Sequence, residues 1–430
     1  MTVNVLKDEY LNWVLLKNWY SLQKLREYYR KKIIRIHNNV ANKPSNLDIK
    51  LNIKGYRKKW RALNKHVNPY WYKTFSYASG IEDINYVPED LFYGIIEPTL
   101  NNFAVAMTYS DKNSYDRLFS DMNIFPETIL RNMGGLFYNS NYEYWENLKP
   151  IEYYLGDEQK VIVKPAIESG GGKNVQIFYK ESNKHYYNKS GEKLDCSYLL
   201  KNYNRNFLIQ KCIKQKSYFH QFNDSSLNTM RIYTYRSVNS DDVLISNCVL
   251  RIGQKGTEID NVSLGGIFCF IDKNGKLSDY AMDSHGNKHF SLPWNNNFKF
   301  SETEKIPEYN KITKFAKKIA KKNYYQRLLG LDICIDKYNN IRLIEINNEE
   351  CEINGFQMFG SSIFKEYTDE IIEFLKKENG LEISGNLLEA VSKCQKLKNE
   401  LYHNFLQKLS IRLFSQRSCP TKKIFIFNIT

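Results

Sequence analysis

A chain of 430 residues is too long for one small domain and suits two or three lobes of roughly 100–200 residues each, long enough to be an enzyme. The 42% hydrophobic and 25% charged fractions are those of a globular protein, and eight widely spaced cysteines with no CxxC pair and no His cluster nearby support neither a zinc site nor a disulfide scaffold. A formal net charge of +15 attracts nucleotides, anionic glycans, anionic lipid or nucleic acid, and charge alone does not choose among them.

The opening MTVNVLKDEY is charged and is not followed by a clean apolar core with a small-residue cleavage site, so no secretory signal is expected. No window approaches the ~18 apolar residues that span a bilayer. With reduced thiols, this predicts a cytoplasmic protein. Residues 1–40 place Leu11, Val14, Leu15, Leu22, Leu25, Tyr29, Ile33 and Ile36 at helical intervals among Lys24, Arg26, Arg30, Lys31, Lys32 and Arg35. Such a basic amphipathic helix either packs on the body of the protein or lies peripherally on an anionic membrane face. Residues 41–48, with Pro44, read as a linker, and a basic, aromatic segment follows, from Tyr56 to Trp60 and from Tyr70 to Tyr72. Its aromatics suit base stacking or core packing equally.

From Asp111 the pattern predicts a helix, a turn at Pro126 and a short strand. Strands are expected at VIVKP (161–165), VQIFYK (175–180), FLIQKCI (207–213), MRIYTYR (230–236), VLISNCVLRI (243–252) and GGIFCFID (265–272). A helix over 308–328 then leads to the paired strands GLDICID (330–336) and IRLIEIN (341–347). Beyond 362 the chain reads as helical and ends in a basic tail.

Three groups of residues carry chemistry. Lys164 ends a β-branched run, fixed by Pro165, and Gly170, Gly171 and Gly172 follow; glycines let backbone N–H groups approach phosphate oxygens while the lysine supplies charge. A plain hairpin explains the same glycines. Asp332, Glu345 and Asn347 flank the tight turn at 336–340, and period-2 alternation puts their oxygens on one face among Ile333, Ile335, Leu343, Ile344 and Ile346. Unpaired carboxylates there would be costly, so a hard cation such as Mg²⁺ is the expected occupant, the alternative being a solvated hairpin face. Between these groups Asn228, Arg231, Arg251, Asp260 and Asn261 punctuate strands, and two guanidiniums beside a phosphate path would neutralise developing charge. The seven histidines show no partner pattern and read as structural.

The order of these features, with DK before a helix, VxVKP before a glycine-rich loop, an arginine-bearing strand and LIEIN, resembles the ATP-grasp superfamily. NTMRIYTYR, LRIGQKGTEIDNVSLGGIF and LDICIDKYNNIRLIEINNE are similar to the sugar-transfer-associated ATP-grasp proteins of bacterial surface-polysaccharide loci. The likeness covers about 95 to 365. It implies an α+β architecture in which two α+β lobes (112–213 and 214–365 within 96–365) grip ATP, with a helical N-terminal region (1–95) and a helical C-terminal tail (366–430). The resemblance further implies that Lys112 and Lys164 grip ATP phosphates, that the stretch Gln210, Lys211 to Ile213 covers adenine and ribose, and that Asp332, Glu345 and Asn347 hold Mg²⁺. Arg231, Arg251 and Asn261 then stand near the transferred phosphoryl group and acceptor carboxylate. Gln210 departs from the family pattern, where a glutamate is usual.

The activity so implied is ATP-dependent ligation of a carboxylate to an amine through an acylphosphate, on a sugar acid or related precursor of a capsule or O-antigen polysaccharide, with an amino acid as a candidate amine donor. A phosphotransferase (kinase) of the same fold is the nearer alternative, and a non-catalytic polyanion-binding module the farther. No nucleic-acid partner is expected; docking to a lipid-linked glycan would give the N-terminal helix a use.

Overall fold

The computed structural model describes residues 2–41, 49–146, 148–167 and 174–378. The glycine run at 170–172, the linker at 42–48 and the tail beyond 378 lie outside the described residues. The chain divides into one unit of Met1–Lys24 with Lys376–Thr430 and a second of Leu25–Leu375. Described residues of the first are helical, in α1 (Thr2–Ala41) and the helix Thr368–Glu378. No helix among the described residues is long and apolar enough to cross a membrane.

The second unit begins with the basic end of α1. Ile33 and Val40 are buried, while Arg30 Nε donates to Asp90 Oδ2 at 3.1 Å and Lys32 Nζ to Glu89 Oε1 at 3.0 Å. Arg26 adds a longer contact to Asp90, 3.8 Å. Three cations of the helix are therefore spent on two buried carboxylates, and this part of the helix packs on the body as the first of the two sequence readings has it.

Next come α2 (Ile53–Trp60), capped by Asn52, whose side chain accepts from Gly55 N at 2.8 Å, and α3 (Tyr70–Ser79), closed by Gly80 at φ 80°, where a Cβ would be strained. Tyr56 and Trp60 lie one turn apart, as do Trp71 and Phe75, and all four are buried. Tyr56 stacks on Tyr72 with ring centres 4.7 Å apart. These aromatics are core, not a stacking platform for bases. They share one cluster with Tyr233, Phe356, Ile363 and Leu375, from far along the chain.

The strands, in chain order, are β1 (Thr128–Met133), β2 (Leu136–Asn139), β3 (Lys160–Pro165), β4 (Gln176–Lys180), β5 (Tyr186–Tyr187), β6 (Phe207–Lys211), β7 (Thr229–Arg236), β8 (Val243–Ile252), β9 (Ile267–Ile271), β10 (Leu277–Met282), β11 (Lys288–His289), β12 (Leu328–Ile335) and β13 (Ile341–Asn347). They form a six-stranded sheet, β2-β1-β6-β3-β4-β5, and a seven-stranded sheet, β11-β10-β9-β8-β7-β12-β13. Neighbouring strands are antiparallel, so residues directly opposite share a face. In the first sheet Val161, Val163, Phe207, Ile209 and Leu130 bury one face with Phe178. In the second, Met230, Ile232, Leu250, Ile252 and Leu331 bury one face against Ile312, Ala316 and Ile319 of the helix Tyr309–Lys322. Each such aliphatic chain contributes about 1.5–3 kcal/mol on burial.

That helix ends six residues before the expected 328. Asn323 closes it, its side chain donating to Ile319 O at 2.8 Å, and β12 starts two residues earlier than expected, at Leu328. β6 likewise stops at Lys211 rather than 213. The 336–340 turn forms as expected: Asp336 Oδ1 accepts from Tyr338 N and Asn340 N at 2.9 Å each, and Asn339 takes φ 69°.

Candidate functional site

The polar residues stand on the sheet faces opposite the Val163 and Ile232 clusters, and on the seven-stranded sheet that face also carries Tyr233, Tyr235 and Val249 of the core shared with the N-terminal region. On the seven-stranded sheet the register sets Thr229 against Arg251, Arg231 against Asp332, and Asp332 against Glu345, while Gly330 faces Asn347. Alternation therefore collects Arg231, Arg251, Asp332, Glu345 and Asn347 on one face. Sequence periodicity finds the carboxylates; the sheet order supplies their partners.

Asp332 is 3% exposed. Arg231 grips it with two parallel bonds, Nε to Oδ1 at 2.6 Å and Nη2 to Oδ2 at 2.7 Å, and Arg251 Nη1 adds 2.9 Å to Oδ2. Burial would raise the pKa of this carboxyl, but the two guanidiniums outweigh it and hold it below the usual range. The buried charge that sequence reasoning assigned to a metal is thus already balanced by arginines. Glu345 is answered by Lys112 Nζ at 2.6 Å.

Behind this array Asp260, 8% exposed, accepts from Thr229 N at 3.2 Å and from the Thr229 hydroxyl, and lies 3.4 Å from Arg251 Nη2. Burial raises its pKa, Arg251 working against the shift. Asn261 follows it, buried, its carbonyl accepting from Leu264 N at 3.1 Å. Thr229 and Tyr115 went unsingled in the sequence. Tyr115 is buried, its hydroxyl accepting from Ile346 N at 3.1 Å between Glu345 and Asn347, and a tyrosine in an amphipathic stretch gives no local signal of that contact.

The six-stranded sheet supplies the other wall. Lys164 pairs with Leu208, and Ile162 with Gln210 and Ile177, so these side chains share the face opposite the sheet's core. Lys164 is 6% exposed; burial first, and the Lys112 charge second, push its ammonium down to about 8, with Glu345 opposing. The same Glu345 acts on both lysines, which ties the two sheets to one place. Lys112 is fixed from the first sheet too, its N–H donating to Ala166 O at 3.0 Å.

Gln210 Nε2 donates to Thr128 Oγ1 at 3.0 Å and Pro126 O at 3.2 Å, leaving its buried Oε1 without a partner among the described residues. Lys211 stands on the opposite, core face, its ammonium bound by Glu127 at 2.8 Å and Glu158 at 3.1 Å, so of Lys211 only the backbone is left for a ligand of this face. Ile213 lies past the strand end, half-buried.

Asp332, Glu345 and Asn347 form a hard-oxygen donor set of two carboxylates and an amide. Asn347 Nδ2 donates to Gly330 O at 3.0 Å, which leaves its oxygen as an acceptor, and among the described residues Asp332 Oδ1 accepts only the Arg231 bond. No group of three or more His, Cys, Asp or Glu able to hold a metal occurs among the described residues. Mg²⁺ asks for less, being held by one or two carboxylates with phosphates and waters, so the set fits this ion in company with a polyphosphate.

The model of a family described as sugar-transfer associated ATP-grasp matches residues 96–371. No curated protein matches the chain. Among solved structures the chain is similar to the ATP-grasp ligase PsnB complexed with a phosphomimetic variant of minimal precursor, Mg and ADP, at 12% identity, with 64% of this chain and 61% of that one covered and a TM-score of 0.35. It is also similar to D-cycloserine synthetase DcsG (10% identity, 64% and 72% covered, TM-score 0.36) and to D-alanyl-alanine synthetase A from Vibrio cholerae (10%, 62% and 66%, 0.35). The chain spans about three fifths of the length of PsnB.

Proposed function

Because the chain belongs to the sugar-transfer associated ATP-grasp family, we propose that it binds Mg·ATP between its two sheets and uses it to join a carboxylate to an amine. The observation that carries this reading is Lys112 bound to Glu345 with the buried Lys164 within reach of both their charges, beside a carboxylate held by two arginines. Lys112 and Lys164 meet the phosphate chain, with the 170–172 glycines offering backbone N–H groups. The apolar face of Ile162, Ile177 and Leu208 takes the base, with the free Gln210 Oε1 and the backbone of Lys211 to Ile213 at its edge.

Asp332, Glu345 and Asn347 would hold Mg²⁺, which when bound neutralises phosphate charge. A carboxylate oxygen of the acceptor attacks the γ-phosphorus, the bond to the β-phosphate oxygen breaks, and ADP leaves. The amine nitrogen then attacks the acyl carbon, phosphate departs and the nitrogen loses a proton, giving the amide. Arg231 and Arg251, already oriented by Asp332, stabilise charge on the transferred group, and Asn261 orients the acceptor; catalysis is positioning and electrostatics. The acceptor is a sugar acid or related precursor in surface-polysaccharide assembly, the amine an amino acid, and the setting cytoplasmic.

A thermal shift with Mg·ATP tests the cleft, since a ligand at 100 times its Kd stabilises the native state by about 2.7 kcal/mol. A magnesium-dependent shift is expected in the wild type and not in Glu345→Gln; no shift in the wild type defeats the reading. With sugar acids and amino acids supplied, ADP release should be accompanied by an amide whose formation depends on the amine; ADP release without amine-dependent amide formation would make the protein a kinase.

A further inference from the structure

A cavity of about 410 Å³ opens among Arg30 of α1, Arg57 of α2, and Arg61, Lys65, His66 and Val67 of the segment after it. All of them precede residue 96, where the family match begins. Arg57 and Arg61 stand one helical turn apart, and like charges at that spacing repel. The segment is shaped to keep them together: Leu63 N and Asn64 N donate to Trp60 O at 3.0 and 3.2 Å, and Asn64 Oδ1 accepts from His66 N at 3.2 Å. Val67 is 9% exposed and gives the cavity an apolar floor.

Cations at a helix C-terminus commonly answer the helix dipole, and Lys59 of the same turn has its own acid, Asp369 at 2.7 Å. Arg57, Arg61 and Lys65 have no acidic partner among the described residues, and the cavity lining contains no carboxylate. Only Arg30 is answered, by Asp90, whose charge Arg26 shares. The result is a concave surplus of positive charge with a volume in the range of small-molecule sites, larger than one phosphate fills. Forked guanidiniums match phosphate oxygens two at a time.

We propose that this cavity is a second ligand site, separate from the nucleotide cleft, that binds the diphosphate group of a phosphorylated substrate or carrier. The diphosphate comes either on a soluble nucleoside diphosphate or on a phospholipid-like carrier at a membrane face, and both present the same chemistry to Arg57 and Arg61.

Calorimetric titration of the full chain with inorganic pyrophosphate, at low and at physiological salt, tests this. Introduced together with Lys164→Met, Arg57→Gln and Arg61→Gln, both exposed and without an acidic partner among the described residues, should melt as Lys164→Met alone does and bind pyrophosphate at least about tenfold more weakly than it. Lys164→Met, which disables only the nucleotide cleft, should retain this binding. Pyrophosphate binding unchanged in the triple variant, or lost in Lys164→Met alone, overturns the proposal. So does equal binding of sulfate and pyrophosphate that vanishes at physiological salt, the mark of a merely basic surface. Displacement of pyrophosphate by uridine diphosphate in Lys164→Met would identify the soluble source. Co-sedimentation with phosphatidylcholine vesicles containing a polyprenyl diphosphate, lost in the triple variant, would identify the membrane-borne one.

Discussion

At the scale of single residues, Lys164 sits in an environment at odds with its charge. Its pKa falls from 10.5 in the unfolded chain to about 8 in the folded one, so between these values the unfolded chain holds more protons. Stability at this position therefore rises as pH climbs through that window, and the cost of the buried ammonium is fully present below it. Bound phosphate favours the ammonium form. Nucleotide affinity should accordingly decline above pH about 8 as free Lys164 loses its proton, whereas Lys164→Arg, charged throughout, should give a flatter profile. Dissociation constants across that range decide it; parallel profiles would remove Lys164 from the phosphate site. Sequence pattern found Lys164 and the strand end that fixes it. The neighbouring lysine charge that helps to shift it comes from Lys112, brought close only by the fold.

Among the elements, the end of β13 depends on a carboxylate from well before the sheets. Glu97 is 1% exposed and accepts from Cys351 N at 2.8 Å and Glu350 N at 3.1 Å, clasping the turn that follows Asn347. Burial lifts its pKa from 4.5 to about 7 in spite of those bonds. Between the two values the folded protein holds a proton that the unfolded chain has released, so stability falls as pH rises through that interval, and the full cost is present above it. Glu97→Gln keeps an acceptor for the turn and cannot ionise. The wild type should lose more stability than the variant between pH about 5 and 8, read from urea midpoints at both; equal losses would mean that Glu97 is ionised throughout. No periodicity marks Glu97, because a clasp across more than two hundred residues leaves no local pattern.

Across the whole molecule, the region before residue 96 and the family domain share a core. Trp60, Trp71, Phe75 and Tyr86 pack in one cluster with Tyr233, Phe356, Ile363 and Leu375. Losing one large aromatic from a core costs about 3–5 kcal/mol, against a total stability of about 5–15 kcal/mol. A chain reduced to 96–378 should therefore lack a cooperative calorimetric transition or aggregate. A sharp melt from that fragment would show that the family domain folds without its N-terminal partner.

By itself, the sequence determined β1, β3, β4, β6 to β9 and the β12–β13 hairpin, the tight turn at 336–340, and the shared face of Asp332, Glu345 and Asn347. These follow from period-2 alternation and turn chemistry, which act over a few residues. The strands β2, β5, β10 and β11 had no such signal. Only the tertiary structure decided what those residues meet. Arg231 and Arg251 neutralise Asp332 because β8, β7 and β12 lie side by side, across separations of 101 and 81 residues. Arg30 and Lys32 of the basic helix turn inward to Asp90 and Glu89, 60 and 57 residues away, because a buried carboxylate without a cation costs several kcal/mol. Local pattern fixes the face a side chain takes; the order of the strands fixes its partner.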